Sequence, residues 1–161
     1  MTKTKVVIGI DPGKSGAVCI VTSDLQVDTA IPKMPWLNDR LDSSLLYGVI
    51  SKAIVEYDYI HIVCEKVHSM PRDGVKSAFT FGGAYHAALA VVDLFDIPLT
   101  LVAPQTWKKV MLKDKGKDKQ DSINAARELF PALRSSLKTK SSHNLAEAAL
   151  IAAYGVKYWN T

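Results

Sequence analysis

Residues 9–17, GIDPGKSGA, decide how the chain is read. The run leading into them, Val6, Val7, Ile8 and Ile10, is short and β-branched, which predicts a strand buried on both faces rather than a helix. It ends on Asp11, a charge that is costly to bury unless something pairs with it. Pro12, Gly13 and Gly16 then turn the chain, and residues 17–22, AVCIVT, restart an apolar run as the hairpin partner. Asp11 either caps this turn or holds a cation. Asp and Gly are common turn residues, so the decision falls to the other acids of the chain.

Working outward, residues 25–33 predict a third strand after a Ser23-Asp24 turn, closing an antiparallel meander that Pro32 and Pro35 end. Residues 36–40 read as loop. Leu45, Leu46, Val49, Ile50 and Ile54 recur at helical spacing over 43–57, with Asp42 or Ser43 as N-cap. Residues 59–64 form another apolar run of strand length, and it too ends on an acid, Glu65. In sheets reached by crossover helices, neighbouring parallel strands bring their C-terminal ends to one edge, so Asp11 and Glu65 are expected to converge there.

The loop 66–74, KVHSMPRDG, is basic and expected to be exposed. Residues 75–95 predict one long helix with Ala78, Phe81, Tyr85, Ala88, Leu89, Val92 and Phe95 on its apolar stripe. Gly82 and Gly83 inside it cost roughly 1 kcal/mol each relative to Ala, and close packing against the sheet is the expected reason. A strand over 98–103, a short helix over 104–111 and a charged segment over 113–119, KDKGKDK, follow. That segment reads as a mobile basic loop or an extended helix N-terminus. A helix over 122–130 places Ile123, Ala126, Leu129 and Phe130 inward and stops at Pro131; a polar stretch then runs to 142. In the last helix, 143–159, Leu145, Ala148, Ala149, Ala152, Val156 and Trp159 line one face, while His143, Asn144 and Glu147 meet near one face of the first turn.

A length of 161 residues with 48% hydrophobic content predicts one globular domain, 1–161, with a sizeable core. No leader pattern opens the chain and no apolar run approaches the roughly 20 residues that cross a bilayer, so a soluble, cytoplasmic protein with no membrane partner is expected. Cys19 and Cys64 lie in strand patterns without CxxC spacing and read as reduced core residues. Between 105 and 140 there are ten Lys or Arg against four acids, so this window carries +6 of a net +4. Such clustering fits a polyanion partner or a solvated lysine-rich loop.

The polar residues that break apolar patterns are Asp11, Glu65 and the group His143, Asn144, Glu147. Three carboxylates and an imidazole on one sheet edge call for a cation, and oxygen ligands point to Mg²⁺ or Mn²⁺. A pair of ions roughly 3.5–4 Å apart activates water on one side of a phosphodiester and stabilises the leaving oxygen on the other. In this reading Asp11 bridges the ions and Glu65 and Glu147 hold them.

These residues carry a resemblance to the RuvC-type Holliday junction resolvases, in particular the short bacteriophage forms. It spans nearly the whole chain, through GIDPGKSGA, IVCEKVHSMPRDGVKSAFTFGGAYHAAL, VAPQTWKKV, KGKDKQDSINAARELFP and HNLAEAALIAAYG in that order. The resemblance implies an α/β, ribonuclease H-like fold, a central five-stranded mixed sheet with three antiparallel strands followed by two parallel ones, flanked by helices. It also implies a metal-dependent endonuclease acting on branched DNA, the four-way junction, as a homodimer. Carried over by residue, Asp11 matches the acid on the first strand, Glu65 the acid ending the fourth, and Glu147 the final acid of the last helix. Lys108 and Lys119 match basic positions associated with the scissile phosphate or the DNA backbone.

Where the family has a second acid one turn before the final one, this chain has His143 or Asn144. Imidazole is the better metal ligand and a base, so the expected catalytic and metal-binding set is Asp11, Glu65, His143 and Glu147, with Asn144 as the alternative donor. His68 stands near the place of the aromatic wedge of the bacterial enzymes. The expected DNA contacts are Lys66, His68, Arg72, Lys108, Lys109, Lys115, Lys117 and Lys119. Two other readings compete. A branched-DNA-binding protein without catalysis shares the basic window, and Asp11-x-Gly13 with Gly16 also resembles the phosphate-binding hairpin of sugar kinases and actin-like ATPases, which need two such domains.

Overall fold

The computed structural model describes residues 4–69, 71 and 73–159. In chain order the elements are β1 (Lys5–Asp11), β2 (Ala17–Thr22), β3 (Val27–Ile31), β4 (Trp36–Leu37), β5 (Arg40–Leu41), α1 (Ser43–Glu56), β6 (Tyr59–Glu65), α2 (Val75–Val92), β7 (Leu99–Val102), α3 (Pro104–Met111), α4 (Lys119–Leu129) and α5 (His143–Trp159). Single 3₁₀ turns at Pro131–Leu133 and Lys140–Ser142 link α4 to α5.

The main sheet has the order β3-β2-β1-β6-β7. β1, β2 and β3 form an antiparallel meander, and β1, β6 and β7 run parallel. This is the mixed sheet expected from the sequence. β1 is buried on both faces after Lys5 because helices cover both sides. Val6, Ile8, Ile10, Ile62 and Cys64 pack on one side with Leu46 and Ile50 of α1 and Tyr85, Ala88 and Val92 of α2. Val7, Cys19, Val21 and Val63 pack on the other with Trp107 of α3, Ile123 and Ala126 of α4, and much of α5.

α5 lies directly on β1. A Cβ at Gly9 would collide with the Ala148 carbonyl and the Ala152 backbone, and one at Gly155 would collide with Val7 and Val63. Glycine and alanine at these crossings let the helix backbone approach the sheet. The expectation of a single apolar face on this helix needs correction. Leu145 through Ala153, with Gly155 and Val156, are all buried, since the sheet lies on one side and α3 and α4 on the others.

Other expectations also change. Residues 36–41 form a tight hairpin rather than a loop; Asn38 (φ 48°) and Asp39 (φ 60°) take the two left-handed turn positions that suit the twist of paired strands. α1 is capped by Asp42, whose carboxylate accepts from the Ser44 and Leu45 amides, but it buries Leu46, Ile50 and Ala53 while Leu45 and Ile54 stay exposed. Gly82 and Gly83 do not serve close packing. A Cβ at either meets nothing within 4 Å, because these positions open onto two grooves flanking α2. The charged segment 113–119 ends in a capping box, Asp118 accepting from the Asp121 amide and Asp121 from the Asp118 amide, so α4 begins at Lys119. The polar stretch after Pro131 hides Leu133 and Leu137 in the core. Cys19 and Cys64 are buried free thiols on opposite faces of the sheet. Among the described residues no helix is long and apolar enough to cross a membrane.

Candidate active site

Strand alternation fixes where the first two acids point. Ile10 registers with Cys64 across the parallel pair, so Asp11 and Glu65 leave the sheet side by side. Both share the face of Gly9 and Val63, two residues back, and that face is the one α5 covers. Glu147 lies in the second turn of α5, one residue before the Ala148 carbonyl that rests on Gly9. Three acids far apart in sequence are therefore brought to one sheet edge. Among the described residues they are also, with Ser122, the buried polar residues, exposed by 7% (Asp11), 9% (Glu65) and 8% (Glu147).

Helices α3 and α4 supply their partners. Trp107 is fully buried and its Nε1–H donates to Glu65 Oε1 at 2.8 Å. The next residue, Lys108, donates from Nζ to Glu147 Oε1 at 2.8 Å, and Ser122 Oγ donates to the same oxygen at 3.1 Å. Asp11 has no hydrogen-bond donor on its carboxylate among the described residues. Burial pushes its carboxyl well above the usual range, the charges of Glu65 and Glu147 push it further, and Lys108 draws it back. Glu65 is raised by burial too, against the lowering effect of the indole bond; Glu147 raises it and Lys108 lowers it.

The predicted residues thus separate into groups. Asp11, Glu65, Glu147 and Lys108 come together. His143 donates from Nδ1 to the Lys140 carbonyl at 3.0 Å and bonds to none of the three carboxylates; Asn144 stands beside it, half-buried. Among the described residues no three of His, Cys, Asp or Glu close around a point suited to a metal ion. The donor chemistry nevertheless fits a hard divalent cation. Three buried carboxylates converge, and among the described residues no hydrogen-bond donor reaches the Asp11 carboxylate, which has only the charge of nearby Lys108 to offset its own. Lys66, His68, Lys109, Lys115, Lys117 and Lys119 are exposed and spread around this edge and the α3–α4 side, with Lys115 paired to Glu128 at 2.7 Å. Arg72 lies outside the described residues.

Trp107 and Ser122 were not legible as site residues. Trp107 had one signal, a large aromatic side chain beside Lys108 in a short helix. Ser122 had none, since a serine early in a helix reads as an ordinary surface residue.

No family model matches the chain, and no curated protein matches it in sequence. Solved structures do. A T. thermophilus RuvC in complex with a Holliday junction substrate superimposes with a TM-score of 0.67 at 14% identity, over 96% of each chain. Another Thermus thermophilus RuvC structure gives 0.61 at 15% identity, again over 96% of each. The yeast mitochondrial Holliday junction resolvase Ydc2 gives 0.59 at 15% identity, over 96% of this chain and 78% of that one. With its sheet order and its two flanking helical layers, the chain has the ribonuclease H-like fold of the RuvC-type Holliday junction resolvases.

Proposed function

We propose that the protein is a divalent-metal-dependent endonuclease that resolves Holliday junctions and other branched DNA by paired phosphodiester hydrolysis in a homodimer. The observation that carries this reading is the convergence of Asp11, Glu65 and Glu147, all buried, with no hydrogen-bond donor on Asp11 among the described residues. Asp11, Glu65 and Glu147 would hold Mg²⁺ or Mn²⁺, with His143 or Asn144 as a further ligand. When bound, two such ions supply Lewis-acid activation of water and stabilisation of the leaving 3′ oxygen.

The chain's own groups prepare the site. The Trp107 indole fixes one oxygen of Glu65, and Lys108 and Ser122 fix one of Glu147, leaving each carboxylate its second oxygen. The Lys140 carbonyl ties His143 Nδ1–H, the arrangement that leaves Nε2 with its lone pair available as a ligand or base. Lys108 bonds Glu147 here, and would supply its positive charge to a phosphate oxygen were Glu147 to hold a cation instead. Lys66, His68, Lys109, Lys115, Lys117 and Lys119 form the exposed basic surface on which DNA arms would lie.

A resolvase nicks two strands placed symmetrically about a branch, which a two-fold dimer does naturally. Val75 and Phe79, 88% and 83% exposed on α2, offer apolar surface for a second copy. A bacteriophage source remains part of this reading through the resemblance to short phage forms. A branched-DNA-binding protein without catalysis would use the same basic surface but has no need of an undonated, buried Asp11. Cleavage of a labelled four-way junction with and without Mg²⁺ or Mn²⁺ separates the two: paired metal-dependent nicks support the nuclease, and tight binding with no cleavage contradicts it.

A further inference from the structure

Lys108 turns toward Glu147, but its neighbour Lys109 borders a separate groove between α3 and the last two turns of α5. The groove holds about 690 Å³ and is lined by Lys109, Lys113, Lys117 and Lys157 with Tyr154 and Tyr158; no acid lines it. None of these lysines pairs with a carboxylate among the described residues. The two tyrosine rings stand 4.6 Å apart with a 38° tilt, and Tyr158 is 49% exposed. Behind them a smaller pocket of about 170 Å³ opens toward His61, Thr100 and Trp159.

The groove leads away from the carboxylates. At about 100° per residue, Tyr154 and Tyr158 fall within roughly 20° of the direction of Glu147 around α5, about 10 Å and 16 Å further along the axis. A duplex turns its phosphates outward and its bases inward, so it would engage the lysines and leave the exposed ring unmatched. An unpaired strand offers phosphates to the lysines and a base face to the ring at once. Lys157 and the tyrosines lie outside the basic window of residues 105–140, so sequence charge did not reveal this surface.

We propose that the groove is a binding site for unpaired nucleic acid, with Lys109, Lys113, Lys117 and Lys157 holding phosphates while a base stacks on Tyr158. That the bound strand continues from the catalytic carboxylates rests on the nuclease reading; binding of unpaired nucleotides does not.

The test is fluorescence anisotropy of a labelled oligo-dT with the full chain in EDTA, where no metal-dependent cutting takes place. Tyr158→Ala should weaken binding roughly 5- to 100-fold and Tyr158→Phe should restore it, as expected for loss and return of one stacked base. Lys113→Glu with Lys157→Glu should weaken binding and flatten its salt dependence, by about 0.7 in log-log slope per phosphate contact. Duplex DNA and polyglutamate of equal length should compete weakly. Unchanged affinity in Tyr158→Ala with a native melting curve would overturn the proposal, as would equal competition by duplex, and binding of polyglutamate would mark an acidic-protein site instead. Should Tyr158→Ala fail to fold, the lysine pair and Tyr158→Phe decide. A protein that binds oligo-dT through Tyr158 yet cuts no junction keeps this site and loses the nuclease reading; one that cuts junctions but ignores Tyr158 does the reverse.

Discussion

The Lys108 ammonium stands 2.8 Å from Glu147 Oε1, with their side chains only 21% and 11% exposed, and this pair ties α3 to α5 at the centre of the carboxylate cluster. Deleting the charge leaves three buried acids facing one another. Lys108→Met keeps the stem and should destabilise the metal-free protein by about 1–3 kcal/mol, between the values for exposed and fully buried pairs. Added Mg²⁺ should narrow that deficit, because without the ammonium on Glu147 the variant's acids bind a cation more tightly than the wild type's, and binding to the folded form alone stabilises each protein according to its affinity. Urea denaturation in EDTA and in Mg²⁺ measures both, and a deficit unchanged by metal would argue against a cation among these acids.

Asp11→Asn should abolish junction cleavage while leaving binding intact or tighter, since in the proposed site it removes both a metal ligand and a negative charge facing phosphate. It should also raise stability of the metal-free protein at neutral pH. The Asp11 and Glu65 carboxyls are raised in the folded state, chiefly by burial, so the native form holds protons that the unfolded chain has released. Their contribution is present below the ordinary carboxylate range and is lost as pH rises through the elevated folded values. Thermal melts in EDTA should therefore fall with rising pH in that interval, less so for Asp11→Asn, at about 2–4 °C per kcal/mol. A wild-type melting temperature that climbs through the same interval would contradict the buried, undonated carboxylate.

His143 and Asn144 open α5 one turn before Glu147, and His143 Nδ1 is held by the Lys140 carbonyl. His143→Ala should reduce cleavage far more than Asn144→Ala. The opposite order would assign the missing acid's place to Asn144, and a sharp gain in Asn144→Asp would show that place directly.

Gly9→Ala should cost roughly 1–3 kcal/mol, because the new methyl meets the Ala148 carbonyl and the α5 backbone rather than a side chain that can move aside. Cleavage should fall as well, since displacing α5 carries Glu147 away from Asp11. A denaturation midpoint equal to wild type would mean that α5 sits further from β1 than the structure has it.

The parts of the fold legible from sequence are those where one residue type reports one environment. β-branched runs at 6–10 and 59–64 sit in a doubly covered sheet, and an acid ending each is conspicuous because charge there is expensive. α5 misled on its surroundings because alanine and glycine signal close approach on all sides without an apolar stripe to mark them. Gly82 and Gly83 misled in the opposite sense, as glycine carries the same letter whether it faces a backbone or open space. Trp107 and Ser122 escaped because a hydrogen bond between residues 42 or 25 positions apart leaves no local trace. The hairpin at 36–41 was overlooked although Asn38-Asp39 is a turn pair, because strands of two residues are too short to show alternation.

Metal-dependent junction resolution is put to the test by incubating the protein with a four-way junction labelled on each strand in turn, with Mg²⁺, Mn²⁺ or EDTA, beside linear duplex of the same sequence. A resolvase with Asp11 in its site gives divalent-dependent nicks at positions symmetric across the branch, absent in EDTA and in Asp11→Asn, with the linear duplex left largely uncut. A junction that is bound but remains intact with either metal, or a duplex cut as readily as the junction, would show that the protein is not a junction resolvase.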